Sequence, residues 1–185
     1  MSIHVVHDFL DRETYDCMWK FVTELEYVQG HSNSGRPIDR DQVWFQEDGH
    51  YFCEAWKSRH ERWIARPYCP ELHDLQEYMQ GQYPCTPNLN SCLVNRYKDG
   101  TQFIPPHRDS AQSFGEECAV YGLSLGATRT LRIQNPETGL WQSVELRDNT
   151  LLVMPGHWIH EVPPDPDNTD VRYSLTFRYH KGACM

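Results

Sequence analysis

The order of apolar and polar residues predicts two helices in the first half of the chain. Apolar residues recur at helical spacing over residues 11–27 and again over residues 70–79. Asp11 is placed to cap the first helix, and Gly30 is placed to end it. The polar residues 33–41, which include glycine and proline, predict a loop between the helices.

Short runs of strand-forming residues make up most of the remaining pattern. Residues 43–45 and 51–53 predict a hairpin around an acidic turn. Eight further strands, separated by turn residues, are predicted at 91–97, 103–107, 119–125, 130–134, 141–146, 150–154, 159–162 and 172–179. Eight short strands at this spacing are typical of a sandwich or jelly roll. We therefore expect a mainly β, α+β fold with the helices packed on one sheet, forming a single domain over residues 1–185.

Composition and charge narrow the class of protein. The chain is 39% hydrophobic and 23% charged, as in ordinary globular proteins, and it contains no apolar run long enough for a membrane span. Its N-terminus does not resemble a secretion signal, and its seven cysteines form no CxxC pair, so we expect an intracellular protein, cytoplasmic or nuclear. We also expect a monomer. The formal net charge of −9 counts against a role on duplex DNA, because phosphate binding needs lysine and arginine.

A histidine and an aspartate two residues apart are the first candidate metal ligands. On a strand, His107 and Asp109 would point to the same face. Two histidines and one carboxylate form the facial triad of non-haem iron(II) oxygenases. The second histidine could be His157 or His160; we favour His160, which begins a strand-like run, whereas His157 follows a Pro-Gly turn. The alternative is an ordinary surface strand carrying a loosely paired His and Asp.

The last predicted strand places two arginines on one face. Arg172, Ser174 and Arg178 alternate with apolar residues. Burying two arginine side chains inside a β domain costs free energy unless an anion pairs with them, and a dicarboxylate could pair with both. The alternative is an edge strand with both arginines in water.

Four motifs in fixed order resemble the AlkB family of nucleic-acid dealkylating oxygenases. These are NRYKDG at 95–100, HRD at 107–109, WIHEVP at 158–163 and RYSLTFR at 172–178. The resemblance covers residues 91–179, nearly half the chain. It implies a double-stranded β-helix, Fe(II) as the metal, and 2-oxoglutarate and O2 as co-substrates.

The resemblance also implies a role for each motif residue. His107, Asp109 and His160 would hold Fe(II), and Arg178 would contact Asp109 near the metal. Asn95 and Tyr97 would donate hydrogen bonds to 2-oxoglutarate, and Arg172 would pair with its distal carboxylate. Family members often carry Asn two residues after that arginine, whereas this chain has Ser174, which can make fewer contacts.

The substrate implied by the resemblance is an alkylated nucleobase in DNA or RNA, with single strands favoured by the net charge. A lid from residues 1–90 would grip the base over the catalytic core at 91–180, with Trp44, Phe45, Tyr51 and Phe52 as candidate stacking residues. The alternative for these aromatics is a place in the core. The basic and aromatic segment 54–66, with Arg129 and Arg132, could add a nucleic-acid surface. Two other functions remain open: hydroxylation of a small metabolite or amino acid, and metal or partner binding without catalysis.

Overall fold

The structure is a computed structural model that describes residues 2–32, 35–47 and 64–182. Its helices are α1 (Arg12–Glu24), α2 (Pro70–Gln82) and α3 (Ala111–Phe114). Its strands are β1 (His4–Val6), β2 (Val28–His31), β3 (Pro37–Gln46), β4 (Ser91–Tyr97), β5 (Ile104–His107), β6 (Ala119–Gly126), β7 (Arg129–Gln134), β8 (Trp141–Leu146), β9 (Thr150–Pro155), β10 (Ile159–Val162) and β11 (Arg172–Arg178). None of the helices in these residues is long and apolar enough to cross a membrane.

The strands form two antiparallel sheets. The larger sheet has the order β1-β9-β6-β11-β4-β3-β2, and the smaller one has the order β5-β10-β7-β8. Val120, Leu152 and Met154 from the larger sheet form one apolar cluster with Leu131 and Ile133 from the smaller sheet. The two sheets therefore face each other across a shared interior, as in a jelly roll.

The two long helices pack on the larger sheet. Met18 and Val22 of α1 and Leu72 of α2 are buried in one core cluster with Val94 and Leu175 of the sheet. In a helix these apolar residues recur every three or four positions and so form one buried face. The prediction of a mainly β fold with helices on one sheet is confirmed.

The predicted strands from residue 91 onward agree with the structure to within one residue at each end. The first helix is shorter than predicted: Asp11 caps it by accepting a hydrogen bond from Thr14 N at 2.8 Å, as expected, but Leu25 is already extended. Gly30 lies inside β2 and does not end the helix.

The prediction of a loop over residues 33–41 is wrong, because β3 begins at Pro37. The polar residues of β3 are paired across the sheet and do not mark a turn. Asp41, for example, lies opposite Arg96 of β4, and their side chains form a 2.7 Å ion pair. The second arm of the predicted hairpin, residues 51–53, lies outside the described residues.

Candidate metal and co-substrate site

Two neighbouring strands bring the predicted metal ligands together. β5 and β10 pair antiparallel, with His107 directly opposite His160. Asp109 follows β5, and its backbone N–H donates to the carbonyl of Gly156 at 2.9 Å. One side-chain donor atom from each of His107, Asp109 and His160 lies within 4.8 Å of the other two. Of the two candidates for the second histidine, His160 is the one that meets the HxD pair within the described residues.

Backbone carbonyls orient both imidazole rings. His107 Nδ1 lies 2.9 Å from the carbonyl of Pro105, and His160 Nδ1 lies 2.7 Å from that of Trp158. A carbonyl can only accept, so each Nδ1 carries the proton and each Nε2 keeps its lone pair. Both Nε2 atoms lie 3.8 Å from Asp109 Oδ1. The carbonyl contacts to Nδ1 therefore orient both rings so that their Nε2 atoms can bind a cation.

The protonation states also suit a cation. Burial, and after it the nearby His160, lowers the pKa of His107 to about 4. Burial likewise lowers the pKa of His160. Burial alone would raise the pKa of Asp109, but Arg178 and His160 outweigh it and hold that pKa below its usual value. At neutral pH the site therefore offers two neutral imidazoles and one carboxylate.

Arg178 and Gly156 hold the Asp109 carboxylate from two sides. Arg178 Nε donates to Asp109 Oδ2 at 2.6 Å, and a second guanidinium nitrogen lies 3.3 Å from Oδ1. A Cβ added at Gly156 would lie 2.6 Å from Asp109 Oδ2 and 2.7 Å from Cys118 Sγ. Residue 156 must therefore be glycine for the carboxylate to keep its place.

The donor set fits Fe(II). Two imidazoles and one carboxylate that approach from one side leave further coordination positions open, which is the arrangement used by non-haem iron oxygenases. Magnesium and calcium prefer all-oxygen sites, and structural zinc prefers a closed set of four ligands.

A cavity of about 500 Å³ lies between the sheets beside these ligands. It is lined by every residue predicted to bind metal or co-substrate, namely Asn95, Tyr97, His107, Asp109, His160, Arg172, Ser174 and Arg178. β11, which carries the last three, lies between β6 and β4. The alternative of an edge strand with both arginines in water is therefore wrong.

Arg172 is a buried cation with unsatisfied hydrogen-bond donors. Only 3% of its surface is exposed, and one terminal nitrogen donates to Ser124 Oγ at 2.9 Å. Its Nε and Nη1 have no hydrogen-bond partner among the described residues. Leaving buried charged donors unpaired is costly, so this guanidinium suits the carboxylate of a ligand.

Two of the four predicted substrate contacts, Trp44 and Phe45, do not line the cavity. Trp44 is 1% exposed in a small cluster with Phe114 and Cys118, while Phe45 is 5% exposed in the main core. The reason is that β3 continues through both residues, so that its two faces are covered. Tyr51 and Phe52 lie outside the described residues, as does most of the segment 54–66.

The two arginines expected at a nucleic-acid surface have other partners. Arg129 is 2% exposed and donates to the carbonyls of Gln102 and Pro163 at 2.9 and 2.7 Å. Arg132 forms a 2.9 Å ion pair with Glu161. Arg129 is therefore a structural cation, which corrects the prediction of a basic rim.

Arg40, Gln42 and Ser124 also line the cavity, although the sequence does not single out these three as site residues. Arg40 and Gln42 are two residues apart on β3 and so share a face, a pattern that the prediction of a loop over residues 33–41 conceals. Ser124 lies directly opposite Ser174 across β6 and β11. Alternation in the segment Arg40–Gln42 was the signal that could have found two of the three.

Comparison with known proteins supports the same chemistry. A family model described as the 2OG-Fe(II) oxygenase superfamily matches residues 3–178. The rat alpha-ketoglutarate-dependent dioxygenase alkB homolog 3 is 29% identical in an alignment 155 residues long, which covers 77% of this chain and 50% of the relative. The human DNA oxidative demethylase ALKBH2 is 29% identical over 125 residues, covering 61% of this chain and 47% of that protein. The chain thus spans about half the length of the curated relatives that it matches.

Solved structures share the fold. A prolyl hydroxylase from Trichoplax adhaerens, in complex with a hypoxia inducible factor peptide fragment, has a TM-score of 0.66 at 14% identity, covering 96% of this chain and 83% of that one. OsALKBH1 has a TM-score of 0.65 at 16% identity, covering 96% and 97%. Both likenesses identify the jelly roll, as predicted.

Proposed function

Because the chain belongs to the 2OG-Fe(II) oxygenase superfamily, we propose that it removes alkyl groups from nucleobases of DNA or RNA by oxidation, with a preference for single strands. The predicted resemblance to the AlkB family is confirmed by the matches to alkB homolog 3 and ALKBH2. The observation that carries the proposal is one cavity in which a His-Asp-His cluster and the unsatisfied Arg172 lie together.

His107, Asp109 and His160 would hold Fe(II), and Arg178 would keep the Asp109 carboxylate ionised and in place. When bound, Fe(II) and 2-oxoglutarate supply the oxidation of a substrate C–H bond by O2, with succinate and carbon dioxide as the other products. The chain's own share is to hold the reactants in one geometry and to keep water away from them. The buried His160, Asp109 and Arg178 side chains fit that task.

Arg172 would pair with the distal carboxylate of 2-oxoglutarate, since its Nε and Nη1 need an acceptor. Asn95 and Tyr97 would donate hydrogen bonds to the same ligand from β4. Ser174 also lines the cavity, but its shorter side chain would make fewer contacts than the asparagine that is common in the family.

A methyl group on a ring nitrogen is a suitable substrate for this chemistry. Hydroxylation turns it into an N-hydroxymethyl group, which releases formaldehyde and returns the nitrogen to its unmodified state. The names of the relatives support a nucleic-acid substrate, and the net charge of −9 favours single strands over the more densely charged duplex. The described cysteines are free thiols, which supports an intracellular site of action, cytoplasmic or nuclear, and we expect a monomer.

Formaldehyde release tests the proposal. Enzyme with Fe(II), 2-oxoglutarate and O2 is given oligonucleotides that contain 1-methyladenine or 3-methylcytosine, as single strands and as duplexes. We expect formaldehyde and demethylated base, with faster turnover on single strands, and His107→Ala serves as the blank. Consumption of 2-oxoglutarate with every oligonucleotide left intact would overturn the nucleobase assignment.

A second candidate is hydroxylation of a small metabolite or amino acid in the same cavity, and the acidic charge of the chain favours it. It predicts that succinate formation rises with a member of a metabolite panel and does not respond to oligonucleotides. A response to methylated oligonucleotides alone excludes this candidate.

A further inference from the structure

Two side chains of β3 meet the side chain of Asn95 on β4. Arg40 Nε lies 3.1 Å from Asn95 Oδ1, and Gln42 Nε2 lies 2.8 Å from the same oxygen. Gln42 is directly opposite Asn95 in the strand pairing, and Arg40 is two residues before it on the same face. All three residues line the cavity.

The chemistry of these groups determines which way the Asn95 amide faces. An arginine nitrogen can only donate, so the Asn95 atom that faces it must be the carbonyl oxygen. Gln42 supplies a second donor to that oxygen, and two donors occupy both of its lone pairs. The NH2 group of Asn95 is then the part that remains for a ligand.

We infer that Arg40 and Gln42 are positioning residues that hold the Asn95 amide with its NH2 group directed at the 2-oxo acid. This inference rests on the proposed contact between Asn95 and 2-oxoglutarate. Neither residue needs to touch the reacting atoms. Both act through the orientation of a third side chain.

The opposite orientation of the Asn95 amide would be unfavourable for two reasons. It would turn the Asn95 oxygen toward an anionic co-substrate, and it would turn the NH2 group toward the guanidinium of Arg40. Gln42 is 1% exposed and Asn95 is 3% exposed, so water does little to relieve either mismatch. The two donors from β3 therefore convert an amide that can face either way into a fixed donor.

A binding cycle tests this mechanism without turnover. The affinity for 2-oxoglutarate is measured by calorimetry on protein loaded with Mn²⁺, for wild type, Gln42→Leu, Asn95→Ala and the double variant. Losing one buried hydrogen bond should raise Kd by about five- to tenfold in Gln42→Leu. In the Asn95→Ala background the same substitution should change Kd by less than about twofold, because its target is gone. Equal effects in both backgrounds, or a Kd for Gln42→Leu within twofold of wild type, would overturn the inference.

Arg40→Met provides a second cycle should Gln42→Leu fold poorly. This variant also removes a charge from the cavity wall, but that effect on an anion persists in the Asn95→Ala background. Only the part of the effect that acts through Asn95 should disappear in that background. An effect of Arg40→Met that is equal in both backgrounds would overturn the inference. In turnover assays the variants should raise KM for 2-oxoglutarate more than they lower kcat.

Gln76→Leu is the matched control. Gln76 is 3% exposed, lies on α2 outside the cavity, and bonds to Tyr68 and Glu47 at 2.8 and 2.9 Å. It should lower the melting temperature while leaving Kd for 2-oxoglutarate unchanged. Because no nucleic acid is used, intact oligonucleotides in the assay above leave this inference standing, whereas a wild type that does not bind 2-oxoglutarate contradicts it.

Discussion

The Asp109 carboxylate depends on a residue that has no side chain. Gly156 follows a proline, and in the sequence it marks only a turn, yet its missing Cβ is what leaves room for Asp109 Oδ2 and Cys118 Sγ. The backbone also joins the two segments, since the Gly156 carbonyl accepts from Asp109 N at 2.9 Å. A glycine can thus be as necessary to a metal site as a ligand.

Gly156→Ala should weaken metal binding without unfolding the chain. The new methyl group would push the Asp109 carboxylate away from both imidazoles, and disturbing the support of a ligand typically costs about 10- to 100-fold in affinity. Calorimetric titration with Mn²⁺ measures it. Gly81→Ala is the control, because an added Cβ there meets nothing within 4 Å. Unchanged Mn²⁺ affinity in Gly156→Ala would show that the carboxylate does not bind the metal.

The imidazole of His107 should make the stability of the metal-free protein depend on pH. Burial lowers the pKa of His107 from 6.5 to about 4, so the unfolded chain takes up the proton first as pH falls. The contribution of His107 to the free energy of unfolding is therefore complete above pH 6.5 and declines progressively toward pH 4. Urea unfolding at several pH values measures this, and His107→Gln should flatten the decline. An identical pH dependence in His107→Gln would contradict the lowered pKa of His107.

At the scale of elements, one buried arginine ties together the segments that flank the site. Arg129 begins β7 and donates to carbonyls of the turn after β4 and of the loop after β10. That turn and loop also bond to each other through Gly100, where an added Cβ would lie 1.7 Å from the Asp165 carbonyl oxygen. The turn follows Tyr97 and the loop follows the strand of His160, so these contacts fix both walls of the cavity.

Arg129→Met should destabilise the fold by about 2–4 kcal/mol, because the carbonyls that it satisfies become buried and unpaired. Arg132→Met, on the same strand, is the control. Its ion pair with Glu161 is partly exposed and is worth about 1 kcal/mol or less. Chemical denaturation measures both variants. Equal losses would contradict the structural role of Arg129.

At the scale of the whole molecule, the sequence predicts the strands from residue 91 onward and the two long helices, but it does not predict β1, β2 or the first part of β3. Strict alternation of apolar and polar residues marks β11, because one face of this strand lies in the core and the other lines the cavity. The first part of β3 is not predicted, because its polar residues are typical of a loop. In the structure they pair with residues of the neighbouring strand, as Asp41 does with Arg96.

For single residues, too, the sequence shows the local strand pattern but does not show burial by long-range packing. His160 could be chosen over His157 from the strand-like residues around it, and the face shared by Arg172 and Arg178 followed from alternation alone. Arg129 could not be told from a surface cation, because burial depends on long-range packing that local sequence does not show. For the same reason, the sequence did not show that Trp44 and Phe45 are buried and do not line the cavity.

The most direct test is a crystal structure of the protein with Mn²⁺ and 2-oxoglutarate, using the anomalous signal to locate the metal. The account predicts one metal ion bound to His107 Nε2, Asp109 and His160 Nε2, with the distal carboxylate of 2-oxoglutarate on Arg172. A metal ion bound elsewhere, or a ligand that leaves the Arg172 guanidinium unpaired, would contradict it.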